Sequence, residues 1–235
     1  MPPTSIEFLK RVAMFEDLDQ RSLEAIANAA VEQRYEPGQE IVRQGDTGVG
    51  AFIIRSGKVE IVAWTMDPLE ARNARFNFGK LGAYTRTYYR DFYGAMPDKL
   101  NQGLPSDRIY VEWPIGHDRT YKRLRGEDTP ASLEDAEREG VTYLLRADGD
   151  RPGALAETMS ASHLLVEIPR AFQELKARDP KLALEWRLAG RGALERAFGE
   201  GYAAVEFLRA ADGRGAYLLV PQPRRELVLD TDDDV

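Results

Sequence analysis

The sequence predicts an α+β protein: N-terminal helices and a short β-roll joined to a mixed sheet with flanking helices. Three observations carry this reading. Apolar residues recur at helical spacing over residues 20–31. After Pro37-Gly38 the pattern changes to short β-branched runs between glycine turns, and helix-like and strand-like stretches then alternate along the rest of the chain. With 235 residues, 43% hydrophobic and 30% charged, the chain is long enough to form one large core or two small ones.

The first helix starts at Thr4-Ser5-Ile6-Glu7, which has capping-box spacing, and continues through Ile6, Leu9, Val12 and Ala13. Asp19 is the N-cap of the second, whose Leu23, Ile26, Ala27, Ala30 and Val31 form one apolar face. Short strands follow at Glu40–Arg43, Ala51–Arg55 and Lys58–Trp64, separated by Gly45-Asp46-Thr47-Gly48 and Ser56-Gly57. Asp67-Pro68 reads as the start of a helix, with Asp67 as cap and Pro68 in the tolerated first position. That helix runs through Leu69, Ala71, Ala74, Phe78 and Leu81 and stops at Gly82. A strand, a loop and a short helix are expected next, then a strand over Ile109–Trp113.

Residues 115–160 are the most polar region, read as an insertion, with His117-Asp118-Arg119 and Asp148-Gly149-Asp150 in loops. A short helix is expected near 131–139 and a strand at Thr142–Leu145. Leu164–Ile168 is a strand ended by Pro169, helices cover 170–178 and 180–198, and a hairpin turning at Asp212-Gly213-Arg214-Gly215 joins two last strands.

Composition narrows function. Lys and Arg number 32 against 39 Asp and Glu, a net charge of −7, which argues against broad binding to nucleic acid or an acidic membrane. Cysteine is absent, which excludes disulfides, thiolate nucleophiles and Cys-ligated zinc, and His117 and His163 are too few for a His-rich metal site. No apolar run approaches the roughly 20 residues of a membrane span. The N-terminus lacks the basic and apolar regions of a signal peptide, so the expected location is cytoplasmic.

Phe8-Leu9 to Phe15, the helix at 20–31, Tyr35-Glu36-Pro37-Gly38-Gln39-Glu40-Ile41, Gln44-Gly45-Asp46-Thr47-Gly48, Phe52-Ile53-Ile54 and Ser56-Gly57-Lys58-Val59-Glu60-Ile61 occur in one order and spacing. This stretch resembles the first half of a cyclic-nucleotide-binding domain. The resemblance implies a helical pair and β-roll over residues 1–63, a cyclic nucleotide as ligand, and Gly45, Asp46, Gly48 and Gly57 as ligand-turn residues. That family places a Phe-Gly-Glu-Leu-type segment ahead of an Arg that pairs with the cyclic phosphate. Here the nearest match is Phe78-Gly79-Lys80-Leu81 with Arg86-Thr87. Lys80 stands at the carboxylate position, where a cation cannot accept a hydrogen bond, and Arg86 is the candidate anion anchor.

A second set comprises Trp64-Thr65-Met66-Asp67-Pro68-Leu69-Glu70-Ala71-Arg72-Asn73-Ala74, Lys80-Leu81-Gly82-Ala83, Phe92-Tyr93-Gly94 and Leu100 to Arg108. Leu165–Pro169, Trp186-Arg187-Leu188 and Phe198–Tyr202 extend it. It is similar to the C-terminal half of an uncharacterised branch of the GNAT acetyltransferase superfamily. The resemblance, over about residues 58–220, implies a strand, a helix and two further strands forming one wall of an acyl-CoA cleft, and residues 64–235 are read as this second part. Asn73, Lys80 and Gly82 fall on the cofactor side of that helix. Phe78 aligns with the tyrosine that often serves as general acid there, which leaves Tyr88 and Tyr89 as candidate proton donors.

The chain thus reads as a chimera of two half-folds with its seam between Val59 and Asp67. The expected function is that of a ligand-sensing or regulatory protein, weakly active or non-catalytic. The alternative is an acyl-CoA-dependent N-acyltransferase of the GNAT superfamily. Candidate ligands are acetyl-CoA and a cyclic nucleotide, and sheet edges left open by two half-folds predict a homodimer. Adjacent Asp107 and Arg108 suggest a local ion pair.

Overall fold

The computed structural model describes residues 6–10, 15, 18–30, 33–37, 39, 41, 61–94, 104–157, 159 and 161–222. The chain divides into two compact units, residues 1–58 and 59–235. In the first, α1 (Ile6–Leu9) and α2 (Gln20–Ala29) pack through Leu9, Leu23 and Ala27, with Ile6, Phe8, Phe15 and Ile26 around them. Asp19 caps α2 as expected: its Oδ1 accepts from the Ser22 backbone N–H at 2.7 Å, which holds its carboxyl below the ordinary value. The β-roll strands expected within 40–43 and 51–60 lie outside the described residues, apart from Ile41.

The second unit is built on a seven-stranded mixed sheet, and the α+β class holds. Its strands are β1 (Ile61–Met66), β2 (Tyr84–Tyr89), β3 (Arg108–Pro114), β4 (Thr142–Leu145), β7 (Leu164–Ile168), β8 (Tyr202–Arg209) and β9 (Gly215–Pro221). Their spatial order is β1-β3-β2-β8-β9-β7-β4, and only the β4–β7 pair is parallel. A two-residue hairpin, β5 (Ala147–Asp148) and β6 (Arg151–Pro152), stands apart, turned at Gly149 with φ +60°. Alternation along β7 sends Leu164, Val166 and Ile168 to one core and Leu165 to another. The larger core is covered by α6 (Phe172–Arg178) and α7 (Pro180–Gly199) through Phe172, Leu182, Ala183, Trp186 and Leu194. The smaller lies under α5 (Leu133–Arg138), whose Ser132–Asp135 capping box fixes its start.

Two expectations are corrected. The helix expected from Asp67-Pro68 begins later: Asp67–Leu69 form a turn, Glu70 is the cap, and α3 (Ala71–Ala74) continues as a π-helical segment, Arg75–Lys80. Asp67 accepts from Leu69 N at 2.9 Å, but its carboxylate is also drawn to Arg187, and Tyr217 Oη donates to Pro68 O at 2.7 Å. These tertiary bonds hold the turn open where propensity alone favours helix. His117-Asp118-Arg119 is not a loop. His117 caps α4 (Asp118–Arg125), its Nδ1 accepting from Arg119 N at 3.2 Å, and Gly126 ends the helix at φ +72°.

The sheet is weakest in the middle. β2 and β8 share one registered pair, Thr85–Ala204, and β8 bulges between Ala204 and Glu206. α4 occupies this place: Arg119 donates to Val205 O and to Glu206, and Arg123 Nη2 donates to Glu206 Oε2 at 2.6 Å. Burial pushes the Glu206 carboxyl up, with the two guanidiniums opposing it.

Candidate functional site

β1 runs along the outer side of β3 in unbroken antiparallel register from Ile61–Pro114 to Met66–Ile109. At the C-terminal end of β1 the chain turns through Asp67 and rises into α3. Between strand and helix lies an open cleft of about 510 Å³, lined by Trp64–Asp67, Glu70, Asn73, Asn77, Tyr93, Arg108 and Gln173. Its volume falls within the range of small-molecule sites, and its lining is mostly polar.

The π-helical segment shapes one wall. Asn77 lies one turn beyond Asn73, and its buried Nδ2 donates to Asn73 O at 2.9 Å and to Met66 Sδ at 3.2 Å. The helix is thereby pinned to the end of β1. The opposite wall carries Arg108, whose Nη1 donates to Asp107 O at 2.8 Å and whose guanidinium lies 5.0 Å from the Tyr93 ring centroid. Glu70 and Gln173 join across the rim at 2.5 Å.

Behind the cleft are two arginine–carboxylate pairs. Arg187 holds Asp67 through bonds of 2.8 and 2.6 Å, and Arg191, one turn on along α7, holds Asp107 through bonds of 2.9 and 2.8 Å. Asp107 therefore pairs with Arg191 and not with its neighbour Arg108, which corrects the expected local ion pair. Burial acts to raise the Asp107 carboxyl, but bonds from Arg191, Tyr88 and the Asp91 amide more than offset it and hold it below the ordinary value.

The candidate residues are dispersed among these features. Asn73 lines the cleft. Lys80 is exposed at the end of the π-helical segment. Gly82 takes φ +72° and packs against Arg123 and Arg119. Arg86 pairs with Glu112 at 3.6 Å and lies 6.0 Å from the Tyr84 ring centroid. Phe78, in the segment compared with a phosphate cassette, is fully buried against Tyr217. Tyr88 Oη donates to Asp107 Oδ2 at 2.7 Å; burial, reinforced by that bond, pushes its hydroxyl well above the ordinary value. Tyr89 packs edge-on against Tyr110 and tilted against Phe92. Gly45, Asp46, Gly48 and Gly57 lie outside the described residues.

Sequence reasoning missed Arg108, Asn77, Glu70 and Gln173 as cleft residues. Asn77 had a signal: it follows Asn73 at helical spacing. So did Arg187 and Arg191, spaced four apart on the α7 face that carries Ala183 and Trp186. Among the described residues no helix is long and apolar enough to cross a membrane.

Comparison with known proteins adds a partial match. Over 55 residues the chain is 40% identical to a cGMP-dependent protein kinase of Toxoplasma gondii, covering 23% of this chain and 6% of that one. Over 69 residues it is 39% identical to the cGMP-dependent protein kinase, isozyme 2 forms cD5/T2, of Drosophila melanogaster, covering 29% and 7%. Over 56 residues it is 32% identical to the Drosophila melanogaster cAMP-dependent protein kinase type II regulatory subunit, covering 24% and 15%. Part of this chain is similar to cGMP- and cAMP-dependent kinases. The chain spans 6–15% of the length of these relatives. No family model matches it, and no solved structure does.

Proposed function

We propose that this chain is a ligand-sensing regulatory protein whose residues 1–63 form a cyclic-nucleotide-binding-like part and whose residues 64–235 form a second part with its own cleft. The observation that carries this reading is the similarity to both cGMP- and cAMP-dependent kinases, at 40% identity in one case. The second part does not supply a phosphate cassette of the usual kind. Phe78 is consumed in the core, Lys80 replaces the acceptor, and Arg86 is engaged by Glu112. Weak or altered nucleotide response follows from that chemistry. Self-association through the outer edge of β1 belongs to the same reading, because that edge has no strand neighbour among the described residues and an edge strand offers unpaired backbone groups.

The second reading, an acyl-CoA-dependent N-acyltransferase, is favoured by one observation: β1, α3 and its π-helical extension enclose a cleft bearing Asn73. Tyr88 is poorly suited to act as its acid while its hydroxyl is buried and donates to the Asp107 carboxylate.

Calorimetric titration of the full chain with cyclic AMP, cyclic GMP and acetyl-CoA separates the two. Heat with a cyclic nucleotide alone supports the regulatory reading. Saturable acetyl-CoA binding, with acyl transfer to an amine, overturns it in favour of the second. Silence with all three rejects both. Light scattering across a wide concentration range tests self-association, and a monomer mass throughout rejects it.

A further inference from the structure

Among the described residues, the cleft beside β1 contains one cation, Arg108, whose hydrogen-bonding capacity is left open. Arg108 spends Nη1 on the Asp107 carbonyl, among the described residues its Nε and Nη2 make no hydrogen bond, and its side chain is 16% exposed. The nearest carboxylate, Asp67 at 3.7 Å, is already held by Arg187 at 2.6 and 2.8 Å. The guanidinium lies over the Tyr93 ring, 5.0 Å from its centroid, and among the described residues its Nε–Nη2 edge has no hydrogen-bond partner. Nε and Nη2 together form the planar fork that matches a carboxylate with two parallel hydrogen bonds.

We infer that this cleft is a binding site for a small organic monocarboxylate, with Arg108 as its anchor. Asn73 on the facing helix provides a polar contact, and Trp64 provides an apolar wall for the rest of the ligand. The border charges select the anion's valence. Glu70 on the rim and Asp67 in the wall repel a dianion, so a carboxylate is preferred to a phosphate of the same shape. The inference stands apart from the cyclic-nucleotide reading of residues 1–63, since every residue it uses lies between 64 and 173.

Calorimetry on the full chain tests it, with acetate, benzoate and indole-3-acetate as probes and with benzyl alcohol and phenyl phosphate as neutral and dianionic controls. At least one of the three carboxylates is expected to bind saturably in about the millimolar range, more tightly than either control. Arg108→Gln is expected to weaken that binding by about tenfold or more. Because Arg108 also steadies the Asp107 loop, a second pair of variants at exposed Asn73 keeps the test independent of folding. Asn73→Asp should weaken carboxylate binding and Asn73→Lys should tighten it, each by about three- to tenfold. The inference is overturned if none of the three carboxylates binds, if the two Asn73 variants bind equally well, or if phenyl phosphate binds more tightly than benzoate.

Discussion

The Asp67 carboxylate and the Arg187 guanidinium meet in two parallel hydrogen bonds of 2.8 and 2.6 Å, joining residues 120 apart in the chain. The Arg187 side chain is 3% exposed, and its guanidinium lies 4.9 Å from the Phe172 ring centroid. This pair fixes the turn between β1 and α3 to the middle of α7. It sets the floor of the cleft and leaves Arg108 without a full partner.

Breaking the pair from one side strands a buried charge. Asp67→Ala is expected to cost about 3–5 kcal/mol in urea denaturation. The double variant Asp67→Leu with Arg187→Met, which removes both charges, should lose less than Asp67→Ala. A double variant less stable than the single one would show that the pair is not what holds the turn.

Asp107 carries the clearest pH signature. Its carboxyl is held below the ordinary value of 3.8 by its donors, so the folded state favours the ionised form. The stability it contributes is fully present above that ordinary value and is lost as pH falls through the lowered one. The stability gap between the natural chain and Asp107→Asn should therefore be constant at neutral pH and shrink below about pH 3.8. Denaturant midpoints for both proteins across that range measure it. An unchanged gap would mean that the carboxylate charge contributes nothing.

Tyr88 is expected to act as a structural donor to Asp107. Tyr88→Phe should reduce stability by about 1.5–3 kcal/mol, as for a lost hydrogen bond to a charged group, without changing benzoate binding. If acetyl-CoA turnover is found and Tyr88→Phe abolishes it without a loss of stability, the tyrosine is an acid after all.

Gly82 reverses the chain into β2 at φ +72°, and a Cβ there would meet Arg123 Cγ at 3.2 Å. Gly82→Ala should cost about 1–2 kcal/mol from the left-handed backbone alone. Because Arg123 anchors α4 to Glu206, protection of the α4 amides from hydrogen exchange should fall as well. Unchanged protection would separate the turn from the α4 anchor.

Local structure was legible wherever one signal dominated. Asp19 before an amphipathic run and Pro169 after the strand Leu164–Ile168 each point to one conformation, and each is found. Reading failed where a residue had two uses. Asp67 looks like a helix cap because the sequence shows Pro68 beside it, while Arg187 is 120 residues away. His117-Asp118-Arg119 reads as loop because α4 exposes Tyr121 and Leu124 while burying Thr120 and Arg123, the inverse of an ordinary amphipathic face. The bulge in β8 gives Arg123 a carboxylate to meet, which no local pattern announces.

Periodicity, capping and composition over short spans account for the α+β class, for most of the described element types and for the cysteine chemistry that is excluded. Tertiary structure alone decided which arginine meets which carboxylate. Four candidates, Arg108, Arg119, Arg187 and Arg191, are alike in charge and reach, and only the fold separates them. A guanidinium is defined as a partner or as a vacant anchor by what stands within about 3 Å of it, and that distance is set by strands and helices from distant parts of the chain.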